Sequence, residues 1–337
     1  MSYIDTDHLY NRPAFKFRGR MMTARHFGGK NLFSNYEEET EAPSEDAIKV
    51  FLRVKPSNNI NDNVIKILDS KTVLFKMPSE FTQSRKKLNM PVEYKYTFTN
   101  IFQPDVTQNE IFAGCVAPLI KDLFAGQHCL LFTYGTTNAG KTFTVLGTGD
   151  KPGILPRTLT TVFKTIKGKE YNNDRIRPHM FNSAWEVTDS TLMEELNFKQ
   201  NILTWSHDKT QSDTSRLGKT NATAYTTTDE IIGESVFREM QRRLTNDTSI
   251  VEHDSEPEDR FSLWVSFAEI YNEAIFDLLQ PVTIGGKRKQ LKLAQDGSWN
   301  MYIKGLKHVF VKSEEEAYKV LMFGKNNLHV AATGMNS

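Results

Sequence analysis

Apolar and polar positions divide the 337-residue chain into three stretches of different texture. Residues 1–46 are polar and end in the acidic run Glu37–Asp46, a pattern that predicts a poorly ordered extension. Alternation begins at Ile48-Lys-Val-Phe-Leu-Arg-Val54 and stops at Pro56, which predicts a strand. Val64–Leu68 and Thr72–Phe75 read as a hairpin around Asp69-Ser-Lys, and Tyr94–Phe98 as a further strand. Thr107 is a candidate N-cap, with apolar residues at helical spacing from Ile111 to Leu123 and a C-cap at Gly126. The continuous apolar run His128–Tyr134 predicts a central strand buried on both faces. A helix is expected from Lys141, a break at Gly147–Gly153, and helical periodicity again through Leu159, Val162, Phe163 and Ile166.

From about 168 to 259 the chain is rich in Thr, Asn, Asp and Ser. Its apolar clusters are confined to Met180–Trp185 and Ile231–Met240. This predicts a long, partly disordered insertion with one or two helices. Phe261–Tyr271 alternates as one strong strand, and short strands are expected at Leu291–Leu293 and Met301–Ile303. Ser313 caps a last helix with Glu314–Glu316 in its first turn.

Composition narrows the classes. Hydrophobic residues at 39% and charged residues at 25% are those of an ordinary globular chain. Lys and Arg number 42 against 41 Asp and Glu, which gives no support to a general nucleic-acid binder. Two cysteines, Cys115 and Cys129, make no disulfide framework or metal spacing and fit a reducing compartment. The first residues carry acids and no apolar run, so no signal peptide is expected, and no stretch approaches the ~20 apolar residues of a membrane span.

One motif carries chemistry. Gly135-Thr-Thr-Asn-Ala-Gly140-Lys141-Thr142 is a G-x-x-x-x-G-K-[ST] phosphate loop, a pattern that arises by chance in roughly one chain in a hundred of this length. Glycines let the backbone approach phosphates, successive N–H groups face them, Lys141 reaches the β/γ-phosphates, and the Thr142 hydroxyl is the expected magnesium ligand. The plain alternative is a glycine-rich turn that caps a helix. A γ-phosphate sensor is also needed, usually an apolar strand ending in Asp-Gly. Ala274-Ile-Phe-Asp277 is the nearest candidate, but Leu278 follows it, so a structural role is expected.

The residues around the loop resemble a kinesin motor. Tyr134–Thr144 with Gly147 matches the kinesin phosphate loop. Arg53, Lys55, Pro56, Phe98, Phe102, Pro104, Gln108 and Pro118-Leu119 precede it in family order. Gly153–Arg157, Ser266–Glu273, Asp277–Leu279 and Thr333–Asn336 follow. The oversized insertion and Asn138 resemble the sixth kinesin class, the mitotic kinesin-like proteins. The resemblance implies an α/β, three-layer P-loop NTPase-like fold with a mixed central sheet over 47–337. It also implies ATP and Mg2+ as cofactors and microtubules as partner, with no nucleic acid or membrane. A spindle and midzone location follows from it, as does a homodimer formed through a region outside these residues.

It places Arg53, Lys55, Pro56 and Phe143 around the adenine, and Gly135, Thr136, Thr137, Asn138, Ala139, Gly140, Lys141 and Thr142 around the phosphates. Lys141 and Thr142 stand as the catalytic pair. Glu269–Glu273 is a family signature with a structural role, and the basic run Gly285–Lys292 would approach tubulin's acidic surface. Neither switch signature, Ser-Ser-Arg-Ser-His or Asp-Leu-Ala-Gly-Ser-Glu, occurs in the 337 residues. The chain by itself is therefore expected to bind nucleotide weakly and hydrolyse little. The competing readings are a non-catalytic microtubule- or partner-binding module with a relic nucleotide pocket, and a P-loop kinase or small GTPase. The second lacks an Asn-Lys-x-Asp motif.

Overall fold

A computed structural model describes residues 48–56, 64–76, 93–205, 234–245, 251–252, 258–280 and 288–332, together with a two-residue antiparallel backbone pair, β1 (Lys16–Phe17) and β2 (Arg20–Met21). The acidic run expected to be disordered lies outside the described residues. The chain divides into two compact units, one of residues 1–119 and 130–144, the other of 120–129 and 145–337.

In the first unit β3 (Phe51–Arg53) runs parallel to β7 (Asn100–Phe102), with Phe51 stacked on Phe102. Beside this pair in sequence, β4 (Ile65–Ile67), β5 (Thr72–Lys76) and β6 (Glu93–Thr97) form an antiparallel meander. The Asp69 carboxylate accepts from Lys71 N and Thr72 N, and so closes the expected hairpin turn. Those hydrogen bonds hold its pKa below the usual carboxylate range.

The helix expected from Thr107 is two helices, α1 (Gln108–Cys115) and α2 (Ala117–Phe124). Pro118 causes the break: it has no N–H and its ring collides with the carbonyl four residues back, but it is tolerated in a first turn. Thr107 and Glu110 form a reciprocal capping box at the start of α1. Gly126, at φ 77°, closes α2.

The run His128–Tyr134 is not a strand. It is irregular and open to solvent, with Leu130 78%, Phe132 71% and Tyr134 95% exposed. An apolar run becomes a buried strand only when other strands pair with its edges and other elements cover its faces. Among the described residues no strand pairs with it.

The second unit is built on α4 (Ile154–Thr165) and α7 (Glu314–Ala332), which follow the helix α3 (Lys141–Val145) in chain order. The segment 168–259 supplies the hairpin of β8 (Ile176–His179) and β9 (Ser183–Glu186) and the helices α5 (Asp189–Leu203) and α6 (Glu234–Thr245). These helices are core elements. Ile202, Phe237, Met240 and Leu244 are almost fully buried, and Ile202 and Phe237 join Leu159, Leu279, Val311 and Val320 in one apolar cluster. Phe237, Met240 and Leu244 follow helical spacing, so α6 buries one apolar stripe of an otherwise polar helix.

The Phe261–Tyr271 run changes sheets. β10 (Leu263–Val265) pairs with β15 (Val309–Val311), a strand not anticipated from the sequence. After Ser266-Phe267, β11 (Ala268–Tyr271) begins a four-stranded antiparallel meander with β12 (Ala274–Asp277), β13 (Gln290–Gln295) and β14 (Met301–Lys304). Asn272 and Glu273, at φ 47° and 63°, form the tight turn of β11–β12, which gives the Glu269–Glu273 signature a structural role. Parallel and antiparallel pairs both occur, as expected of a mixed α/β fold. Among the described residues no helix is long and apolar enough to cross a membrane.

Tyr318 of α7 stacks on Phe237 with ring centroids 3.4 Å apart. Its hydroxyl is buried and has no hydrogen-bond partner among the described residues. An unsatisfied buried hydroxyl costs about 1–3 kcal/mol. Tyr318→Phe keeps the stack and removes that cost, so it is expected to stabilise the chain by about 1 kcal/mol in urea denaturation. A loss of stability would show that the hydroxyl is satisfied.

Candidate functional site

The phosphate loop lies within the first unit. Its backbone takes conformations that follow from its residues. Gly135 sits at φ 154° and Gly140 at φ 94°, and Asn138, among the side chains that best tolerate the left-handed region, sits at φ 64°. Ala139 N donates to Thr136 O, and Thr144 N and Oγ1 both donate to Gly140 O, which ties the loop to α3. That helix is only five residues long.

Lys141 folds back over the loop. Its Nζ donates to Gly135 O and to Thr136 O, both at 2.8 Å. The ammonium is thus already aimed into the curve of the loop, held by carbonyls that a phosphate oxygen would replace. Lys55 Nζ donates to Asn138 O at 3.0 Å from outside the loop. Thr142 is exposed, and its hydroxyl has no hydrogen-bond partner among the described residues. No group of three or more His, Cys, Asp or Glu is placed to hold a metal among the described residues. The donor set still fits magnesium, which keeps most of its waters and takes one or two protein oxygens beside substrate phosphates.

Arg53 and Phe143, expected together at the adenine, are together. The guanidinium lies over the Phe143 ring, 5.0 Å from its centroid, a cation–π contact. Arg53 Nη1 donates to Gln108 Oε1 at 2.9 Å and to Thr144 Oγ1 at 2.8 Å. Gln108 Nε2 donates in turn to Phe143 O at 2.6 Å. Burial draws the Arg53 pKa down, with Cys115 acting the other way. Cys115 itself is pushed up to about 11 by burial, so it stays a thiol at neutral pH and is no nucleophile. Pro56 and Thr137 are exposed, with no hydrogen bond to the rest of the loop among the described residues.

Gln108 and Thr144 were not among the expected site residues. Gln108 stood in the family pattern, but a glutamine just after an N-cap reads as an ordinary first-turn residue.

Asp277 and Arg288, the one a candidate singly and the other within the basic run, both make internal hydrogen bonds. The Asp277 carboxylate accepts from Leu279 N, Gln280 Nε2 and Lys307 N, so its oxygens are occupied within the second unit. In the basic run 285–292, residues 285–287 lie outside the described residues. Arg288 is not a free surface charge: it donates to the carbonyls of Asp277, Gln280 and Asn327. The second unit also holds a cavity of about 380 Å3, lined among others by Arg177, Glu195, Lys199 and Glu316. These four charges pair with one another across it, Arg177 with Glu195 and Lys199 with Glu316.

Comparison with known proteins places this geometry in a family. Residues 53–337 match the model of the kinesin motor domain. The chain is 34% identical over 320 residues to kinesin-like protein KIF20B of Homo sapiens, covering 90% of this chain and 17% of that protein. It is 31% identical to kinesin-like protein KIF20A of Bos taurus, over 91% of this chain and 37% of the relative. With kinesin-like protein KIF23 of Mus musculus it shares 31% identity, over 87% of this chain and 29% of the relative. The chain therefore spans well under half the length of these relatives, which are members of the sixth kinesin class. A solved structure titled kinesin 6 superposes with a TM-score of 0.58 at 22% identity, covering 84% of this chain and 61% of that one, and shares the fold. The chain belongs to the kinesin motor domain family and resembles its sixth class.

Proposed function

We propose that this chain is the nucleotide-binding part of an ATP-driven microtubule motor that works on spindle and midzone microtubules. The observation that carries the reading is Lys141, held by its own loop's carbonyls where a β- or γ-phosphate would take over those contacts. The left-handed positions of Asn138 and Gly140 curve the backbone around that point. Arg53 and Phe143 supply a cation and an aromatic face at the base end of the site. Thr142 Oγ1 would be the protein oxygen on Mg2+, which when bound neutralises charge on the β- and γ-phosphates. Lys55 in this reading fixes the Asn138 corner of the loop and adds positive charge near the phosphates.

The coupling to microtubules follows from family membership and belongs to the whole protein. The experiment is steady-state ATP turnover by the protein carrying this chain, with and without microtubules, beside a Lys141→Ala control. Turnover that rises with microtubule concentration and disappears in Lys141→Ala is expected. Turnover indifferent to microtubules, or unchanged in Lys141→Ala, would contradict the reading.

A further inference from the structure

We infer that Gln108 is a positioning residue for the base end of the nucleotide site: its one buried amide holds both Arg53 and Phe143 in place. The inference rests on the nucleotide-binding reading above. Gln108 is 5% exposed although it stands in the first turn of a helix, where a polar side chain is ordinarily free to face water. It is not needed to cap that helix, because Thr107 and Glu110 do so reciprocally.

Both ends of the amide are used. Oε1 accepts from Arg53 Nη1 at 2.9 Å, and Nε2 donates to Phe143 O at 2.6 Å. The orientation is forced, since a guanidinium only donates and a carbonyl only accepts. A flipped amide would set donor against donor and acceptor against acceptor. Arg53 is held a second time by Thr144 Oγ1, the residue after Phe143. The end of β3 and the turn of α3 are thereby joined directly by Arg53 and a second time through Gln108.

The geometry has a consequence for recognition. The guanidinium covers one face of the Phe143 ring at 5.0 Å, and Phe143 keeps 36% of its surface exposed. The ring is thus backed by a cation and partly exposed, an arrangement that suits stacking with a planar base. Gln108 touches neither base nor phosphate in this account. It fixes the platform, so its loss should weaken ligands that carry a base and spare those that do not.

The test uses the full 337-residue chain and two ligands with Mg2+, ATP and inorganic triphosphate, each competed against a fluorescent ADP analogue. Gln108→Met keeps the volume and removes both hydrogen bonds. It is expected to weaken ATP about tenfold, the scale of one lost hydrogen bond to a charged group, and to leave triphosphate within about twofold. Should that variant not fold by circular dichroism, Gln108→Glu serves instead. It keeps a charge-assisted bond to Arg53 but turns an acceptor on Phe143 O, and the same split is expected. Unchanged ATP affinity, or an equal loss for both ligands, overturns the inference while leaving nucleotide binding intact. Failure of the wild-type chain to bind either ligand overturns the nucleotide reading and the inference with it.

Discussion

Replacing Gly147 by alanine is expected to cost the chain about 3 kcal/mol or more, because two effects add there. Gly147 sits at φ 76°, a conformation that costs an L-residue roughly 1–2 kcal/mol. A Cβ built on it would lie 2.2 Å from Lys151 O, 2.3 Å from Gly153 N and 2.8 Å from Pro152 C. All three are backbone atoms, which cannot swing aside as a side chain does. The reason is a tight backbone crossing. Gly147 bridges Pro152, Thr148 and Lys151 exchange backbone hydrogen bonds, and Gly153 N donates to Leu146 O at 3.0 Å. On the other side of the crossing, a Cβ on Gly153 would meet Gly147 N and Leu146 C at 2.7 Å. Gly126 is the control, with φ 77° and nothing within 4 Å of its would-be Cβ. Gly126→Ala should show only the conformational cost, about 1–2 kcal/mol. Urea denaturation of both variants separates the two effects. Equal losses would show that the crossing is looser than described.

Asp277→Ala is expected to destabilise by about 4 kcal/mol and to leave nucleotide affinity unchanged. Asp277 is 3% exposed, and its carboxylate accepts from Leu279 N at 2.9 Å, Lys307 N at 2.9 Å and Gln280 Nε2 at 3.1 Å. Truncation leaves the buried Leu279 N–H and the partly buried Lys307 N–H without that acceptor, the buried one at a cost of about 1–3 kcal/mol, and adds the loss of a buried charge's packing and polar contacts. Arg288, which donates to the Asp277 carbonyl, also loses a nearby countercharge. The sequence position of Asp277, at the end of an apolar strand, invited comparison with a magnesium-linked aspartate. The two roles give opposite results. A structural carboxylate changes the denaturation midpoint and not the Mg2+ dependence of nucleotide binding. Wild-type stability with an altered Mg2+ dependence would assign it to the metal.

How much of this was legible beforehand differs from element to element, for physical reasons. The β4–β5 turn was readable because Asp69 closes it locally, within three residues. The backbone of the Gly135–Thr142 loop was readable because glycine and asparagine at those positions admit the positive φ angles found there. The break between α1 and α2 was present in Pro118, but continuous apolar periodicity from Ile111 to Leu123 masked it. His128–Tyr134 failed in the opposite sense. Its composition suits burial, but burial depends on neighbours that no local pattern contains. The nearness of Arg53 and Phe143 followed from the family resemblance, but the bonds that Gln108 and Thr144 make to Arg53 were illegible, because they join residues 55 and 91 positions apart and each has an ordinary local explanation. The role of Arg288 was illegible for a related reason: within a basic run nothing local marks the residue that donates to three internal carbonyls.

The central claim is that the Gly135–Thr142 loop binds a nucleoside triphosphate through Lys141. Equilibrium titration of the chain with ATP in the presence of Mg2+, wild type beside Lys141→Ala, tests it most directly. A single saturable site is predicted, weakened about 10- to 150-fold in Lys141→Ala, the scale of one hydrogen bond to a charged group. The loss should fall toward the lower end, because wild-type Lys141 must first release Gly135 O and Thr136 O. Equal affinity in the two proteins, or no saturable binding in the wild type, would contradict it.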